Sequence, residues 1–185
     1  MITPASGALL IAEPFLKDPN FSRSVIFLCE HLTQGSFGLV INKPLKITLN
    51  QVIDSITDCT ATIYYGGPVQ LDTIHFLHQL PHLIPGSTKV ADGIYWGGEF
   101  ETVVQLINNK KIDLTRIQFY LGYSGWEEGQ LQQEVYECKS WLAVAASDAF
   151  IFHKNQHKSV WADALTHLGG EYEQLKNYPI DPQLN

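Results

Sequence analysis

Short apolar runs, each bounded by turn residues, dominate this sequence and restrict it to a fold built around covered strands. Runs at 8–12, 24–30, 38–42, 62–65, 74–78 and 141–144 have the length and boundaries of strands. Several are apolar at every position, as a strand must be when both of its faces are packed. The segment 117–121 alternates instead, with Ile117, Phe119 and Leu121 on one face. Residues 24–30 and 38–42 flank the turn-rich stretch 31–36, which predicts an antiparallel hairpin with a longer loop.

Four segments carry the helical period. Thr48-Leu49-Asn50-Gln51 has the capping-box pattern, and Leu49, Val52, Ile53 and Ile56 follow at i, i+3, i+4 and i+7. Phe100, Val103, Val104 and Ile107 repeat that spacing. A third stripe, Leu131, Val135 and Cys138, follows Ser124-Gly125-Trp126-Glu127, and a fourth (Val160, Trp161, Ala164, Leu165, Leu168) stops at Gly169-Gly170. Strands arrive in runs with helices interspersed irregularly, which is the order of an α+β domain. No linker, repeat or low-complexity stretch divides the chain, so residues 1–185 read as a single domain, with an extended tail at 178–185.

Charge excludes some functions. Twelve basic residues stand against nineteen acidic ones, a formal charge of -7 that repels polyanions. A nucleic-acid binder needs a basic stripe, and the nearest approach is Lys110-Lys111 with Arg116. Direct DNA binding is therefore disfavoured. Cys29, Cys59 and Cys138 are sparse and form no CxxC, against a disulfide framework or a zinc site. Cys29, inside an apolar run, reads as a buried small hydrophobe. The N-terminus has no basic signal-peptide region and no apolar run nears the ~20 residues of a membrane span. The expectation is a cytoplasmic protein without membrane contact.

The motifs each admit two readings. Gly122-Tyr123-Ser124-Gly125-Trp126 lies between a strand and a helix, where a hydrolase places its nucleophile. That elbow wants glycine where Trp126 stands, and Ser124 with Glu127 also makes a capping box. Asp148 and His153 follow in the acid and histidine order of such enzymes, which is weak support. The cap is the preferred reading. His75, His78 and His82 give H-x2-H-x3-H, but residues three apart on a strand point to opposite faces, so no metal is expected. Gly66-Gly67-Pro68 is either a tight turn or a place where backbone closely approaches another group. Gly97-Gly98 before a helix could receive an anion, although no dinucleotide or P-loop signature occurs. Asn42-Lys43-Pro44 closes the second hairpin strand, with Asn42 placed to bond its own turn.

Read together, these pieces resemble one family. Leu9-Leu10-Ile11-Ala12, Pro14, Asp18-Pro19, Phe21, Arg23-Ser24-Val25, Cys29-Glu30-His31, Gly38 and Asn42-Lys43-Pro44 resemble the opening of the bacterial YqgE/AlgH family. So do Gly66-Gly67-Pro68 with His78, Leu121-Gly122-Tyr123-Ser124-Gly125-Trp126, Gly129-Gln130-Leu131 with Glu134, and the closing Tyr178-Pro179-Ile180-Asp181-Pro182. The resemblance implies a bifurcated, largely antiparallel sheet curled into a pseudo-barrel and flanked by about four helices. One branch of that family is labelled a transcriptional regulator tied to exopolysaccharide production; no catalytic residues carry over. His75 departs from the usual pattern. The resemblance marks Glu30, His31, Asn42, Gly66, Gly67, Pro68, His78, Ser124, Gly125 and Trp126 as a shared surface for a ligand or partner.

The resulting expectation is a non-enzymatic binding or regulatory module without a cofactor, acting through a small molecule or protein partner. The alternative is a hydrolase-like enzyme using Ser124, or an acid–base site drawn from Glu30, His31 and His78.

Overall fold

The computed structural model describes residues 2–146, 148–152 and 159–178. Ten strands form one curled sheet: β1 (Ala8–Ala12), β2 (Val25–Leu32), β3 (Gly35–Val40), β4 (Pro44–Thr48), β5 (Thr62–Tyr65), β6 (Val69–His78), β7 (Thr88–Ala91), β8 (Ile94–Trp96), β9 (Ile117–Glu127) and β10 (Trp141–Ala145). With them come α1 (Phe100–Asn108), α2 (Gln130–Tyr136), α3 (Asp148–Ile151), α4 (Val160–Leu168) and α5 (Glu171–Leu175). The class is α+β. The main strand order is β10-β1-β2-β3-β9-β6-β8-β7, and β5 pairs with β4 and β9.

The long strand β9 makes the sheet fork. One of its edges pairs antiparallel with β6 from Ile117 to Tyr123. Its other edge takes β5 in parallel at Phe119–Leu121, then changes partner to β3, antiparallel, from Ser124 to Glu127. The change falls at Gly122, whose φ of +68° shifts the pleat by a residue. Before it, Ile117, Phe119 and Leu121 pack with Ile63, Phe76, Val103 and Ile107 of α1. After it, Tyr123 joins the core that Tyr120 had faced.

Three apolar layers explain why so many strands lack polar positions. Inside the curl, Leu9, Ile11, Val25, Phe27, Leu39 and Ile41 meet Trp161, Ala164 and Leu165 of α4. On the outside of β1–β3, Leu10, Ile26, Leu28 and Val40 are covered by Trp126, Trp141 and Leu131 of α2. Strands β1 to β3 are sandwiched where these residues lie.

The outer layer has one polar centre. Oε2 of Glu134 accepts from Trp126 Nε1 at 2.9 Å and Trp141 Nε1 at 2.8 Å, and Oε1 accepts from Gln130 Nε2 at 2.9 Å. Both indoles are almost fully buried. Replacing Glu134 with leucine orphans two buried donors, and a loss of about 2 kcal/mol is expected in urea unfolding. Glu134→Gln keeps an acceptor oxygen and is expected to lose less than half of that.

Several local expectations are corrected. Ser124 is no helix cap: it is buried inside β9, and α2 starts six residues later behind its own N-cap, Gly129, with a φ of +75°. The strand continues through Ser124 because β3 pairs with it. The segment from Leu49 makes only a 3₁₀ turn to Gln51, although its capping box with Thr48 forms. The hairpin strands run on to Leu32 and start again at Gly35, leaving a two-residue turn at Thr33-Gln34. Strands β4, β7 and β8 were not legible as apolar runs. The Asp148 side chain, His153 and residues 179–185 lie outside the described residues.

Candidate functional site

The residues marked in the sequence separate into three places. The first is a chain crossing. After Tyr65 the chain leaves one edge of β9, and by Val69 it pairs with the other edge, so Gly66-Gly67-Pro68 must cross the β9 backbone in three residues. A Cβ on Gly66 would stand 2.2 Å from the Gly122 carbonyl oxygen, and one on Gly67 would stand 2.2 Å from the carbonyl of Tyr123. Only hydrogen fits between the two chains. The crossing is stitched by polar bonds: Val40 N–H donates to Gly66 O at 2.8 Å, Gly66 N–H to Leu121 O at 2.8 Å, and Ser124 Oγ to Gly66 O at 3.2 Å. Ser124, fully buried, thus ties the fork together, and among the described residues no histidine hydrogen-bonds its hydroxyl.

Asn42 does related work at the end of β3. Its Oδ1 accepts from Val25 N–H at 2.9 Å, and its Nδ2 donates to Arg23 O at 2.8 Å. The expectation that Asn42 bonds its own turn is corrected. It clamps the neighbouring strand β2 instead.

The second place is His78, fully buried and stacked on Tyr95. Nδ1 accepts from Leu80 N–H at 3.0 Å, so the proton sits on Nε2, which donates to Gly97 O at 3.0 Å. Burial holds this imidazole's pKa below the ordinary histidine value, with the Gly97 contact opposing. Burial lowers His75 as well. The unfolded chain therefore takes up a proton first as the pH falls, so folded stability is complete above about pH 6.5 and declines below it. A falling thermal midpoint between pH 7 and 5.5 is expected, with a smaller fall in His78→Gln, whose amide keeps a donor and an acceptor. An equal fall in both proteins would remove His78 as a contributor. Among the described residues, no three His, Cys, Asp or Glu side chains are placed to hold a metal.

The third place is an open hollow of about 600 Å³ at the end of the β2–β3 hairpin. Cross-strand register builds it. One row runs Glu30, Phe37, Gly125 and the next runs Leu32, Gly35, Glu127. Each row contains a glycine, so the sheet surface is low where neighbouring positions stand high. Val69 and Tyr123 complete the wall. The rings of Phe37 and Tyr123 lie 5.0 Å apart, and beneath them are His75 and Trp96. Alternation sends His31, Ser36 and Trp126 to the opposite face. There Trp126 reaches Glu134, while His31 Nδ1 lies 2.7 Å from Ser36 Oγ and Nε2 lies 3.3 Å from Gln132 Nε2. His31 lines a separate, smaller hollow with Gln132.

Of the marked residues, Glu30 and Gly125 line the larger hollow; Trp126 borders it but sends its indole to the other face, where His31 also lies. Asn42, Gly66, Gly67, Pro68 and Ser124 lie at the fork, and His78 is buried elsewhere. Leu32, Gly35, Phe37, Val69, Tyr123 and Glu127 went unmarked. The alternation of Glu30 and Leu32 against Gly35 and Phe37 across the hairpin was the signal that could have found most of them. At Gly97-Gly98 the anion reading meets Glu99 and Glu101 at the start of α1, and a Cβ on Gly98 would stand 2.7 Å from Ile84 Cγ2. Acidic side chains at that end oppose an anion.

A family model described as AlgH-like matches residues 9–173. The chain belongs to the AlgH-like family. Among its AlgH-like relatives, a UPF0301 protein of Cytophaga hutchinsonii is 41% identical over 180 residues, covering 97% of this chain and 98% of the relative. A UPF0301 protein of Bacteroides fragilis is 39% identical, covering 100% and 93% respectively. The solution structure of the AlgH protein of Pseudomonas aeruginosa matches with a TM-score of 0.75 at 29% identity, covering 97% of this chain and 98% of that one. A Corynebacterium diphtheriae protein shares the fold, with a TM-score of 0.77 at 20% identity, covering 96% and 94%. In this chain the AlgH-like fold carries both the glycine crossing and the hairpin hollow. No helix among the described residues is long and apolar enough to cross a membrane.

Proposed function

We propose that this AlgH-like chain is a non-enzymatic binding module, with a regulatory role exerted through a partner or ligand held in the hairpin hollow. The observation that carries this reading is the hollow itself. Two glycine positions open it, apolar and aromatic side chains wall it, and Glu30 and Glu127 frame it. Such a concavity with a few charged groups is the ordinary form of a binding site.

The hydrolase alternative draws less support. Ser124 is buried and spends its hydroxyl on the Gly66 carbonyl, and His78 spends both ring nitrogens on backbone groups. Glu30 and His31, adjacent on β2, point to opposite faces and cannot act together on one substrate atom. The acidic frame of the hollow also disfavours DNA.

The test is a titration of the ¹⁵N-labelled chain with fractionated extract of cells, followed by amide shifts. Shifts confined to 30–37 and 123–127, and lost in Gly125→Val, are expected. A Cβ at Gly125 would project to 3.2 Å from the Tyr123 ring, so the larger side chain occupies the hollow. Shifts confined elsewhere, or none with any fraction, would remove the reading.

A further inference from the structure

The hollow has an open sheet edge along it. β9 is paired on its β6 side only as far as Tyr123, because β6 starts opposite that residue at Val69, straight out of the glycine crossing. Among the described residues, its strand neighbour from Ser124 to Glu127 is β3 alone. The N–H of Glu127 meets no strand and donates to the side-chain Oε1 of Gln130 at 3.0 Å. Backbone groups in an antiparallel ladder face alternate sides at alternate residues, so Gly125, two positions earlier, directs its N–H and C=O the same way. Gly125 is exposed and carries no side chain to shield that edge. An unshielded edge is a template for another strand.

The chemistry beside the edge is specific. Phe37 and Tyr123 present a pair of rings, Leu32 is half exposed at 49%, and Val69 adds aliphatic surface. Glu30 and Glu127 are exposed on the same face, and among the described residues no Lys or Arg lines the hollow. Among the described residues the ion pairs join Lys89 to Asp92, Lys110 to Asp58 and Lys176 to Glu173, so neither carboxylate is neutralised. Aromatic faces between uncompensated carboxylates attract a cation. A small amine would satisfy the carboxylates but leave the edge bare. A strand satisfies both.

We propose that the hollow is a strand-addition site for an extended, basic segment of a partner protein. The segment extends the sheet alongside Gly125, laying one Lys or Arg across the Phe37 and Tyr123 rings between Glu30 and Glu127. An apolar side chain two residues away, on the same face of the added strand, covers Leu32 or Val69. This inference rests on the binding reading and narrows it to one class of partner.

The experiment titrates the ¹⁵N-labelled full chain with two capped seven-residue peptides of equal valine content, one with arginine at its third and fifth positions and the other with glutamate there. Capped arginine amide serves as the small cation. The arginine peptide is expected to shift the amides of Gly125, Glu127 and residues 32–37, and to bind at least about tenfold more tightly than either other probe. The double variant Glu30→Gln, Glu127→Gln is expected to weaken it by roughly tenfold, and added salt to weaken it further. Gly125→Val should abolish binding without changing the unfolding midpoint by more than a few degrees. Equal binding of the glutamate peptide, or of capped arginine alone, would overturn the strand-addition proposal. Silence with the peptides but shifts with cell extract would sink this partner class and leave the binding reading standing; silence with both would remove the two together.

Discussion

Gly67→Ala is expected to lower the free energy of unfolding by about 4 kcal/mol, combining overpacking with backbone strain. The added methyl would lie 2.2 Å from Tyr123 C and 2.4 Å from Ser124 N, and both are backbone atoms of the central strand. Neither can move without disturbing the β3 and β6 ladders on its two sides. The φ of Gly67, +151°, adds strain for any L side chain. Gly93→Ala provides the control: its φ is +69°, but a methyl added there would meet nothing within 4 Å. That variant should lose only about 1 kcal/mol, the cost of left-handed backbone. Urea denaturation of both separates the two effects. A Gly67→Ala protein as stable as Gly93→Ala would show that the crossing has room to relax.

Trp161→Ala is expected to cost a similar amount, about 3–5 kcal/mol, through the cavity it leaves. The indole is 1% exposed and sits inside the curl among β1, β2 and β3 side chains, where it fixes α4. Its Nε1 donates to the Ala12 carbonyl at 2.8 Å, and the Arg23 guanidinium lies 4.9 Å from the ring centroid. Trp161→Phe keeps much of the packing and loses the hydrogen bond, so about 1–2 kcal/mol is expected. The ordering, alanine well below phenylalanine and phenylalanine below tryptophan, is read from unfolding midpoints. Equal losses would assign the stabilisation to the hydrogen bond, with packing contributing little.

Local pattern revealed much of this architecture. The runs Ala8–Ala12 and Thr62–Tyr65 became strands at those bounds, and the stripe from Val160 ended as a helix at Leu168 before Gly169. These segments signal clearly because their periodicity is carried largely by side chains that pack into the cores. The segment after Leu49 failed as a helix although its spacing was right: only the first turn forms, and Ile56 joins the cluster of Leu49, Ile63 and Phe76 from outside any helix. Ser124 failed for a different reason. A capping box is a four-residue signal, whereas the extended conformation of Ser124 comes from β3, far earlier in the chain.

The candidate site shows the same division. The glycines at 66, 67 and 122 were visible, but a glycine reports only that a side chain is unwelcome, not whether a ligand or another backbone excludes it. Here it is backbone at those three positions, whereas a Cβ at Gly125 would meet only carbons of the Tyr123 ring.

The amino-acid order by itself determined that this chain would be a strand-rich α+β domain with buried strands, an acidic surface and helices at 100–108 and 160–168, because burial and local periodicity are properties of neighbours in sequence. Tertiary structure alone decided that β9 would change partners at Gly122, that the chain would cross it at Gly66-Gly67, and that Glu30, Phe37, Gly125 and Glu127 would share one hollow. Register between distant strands sets those meetings, and register is a relation between segments that no single segment contains.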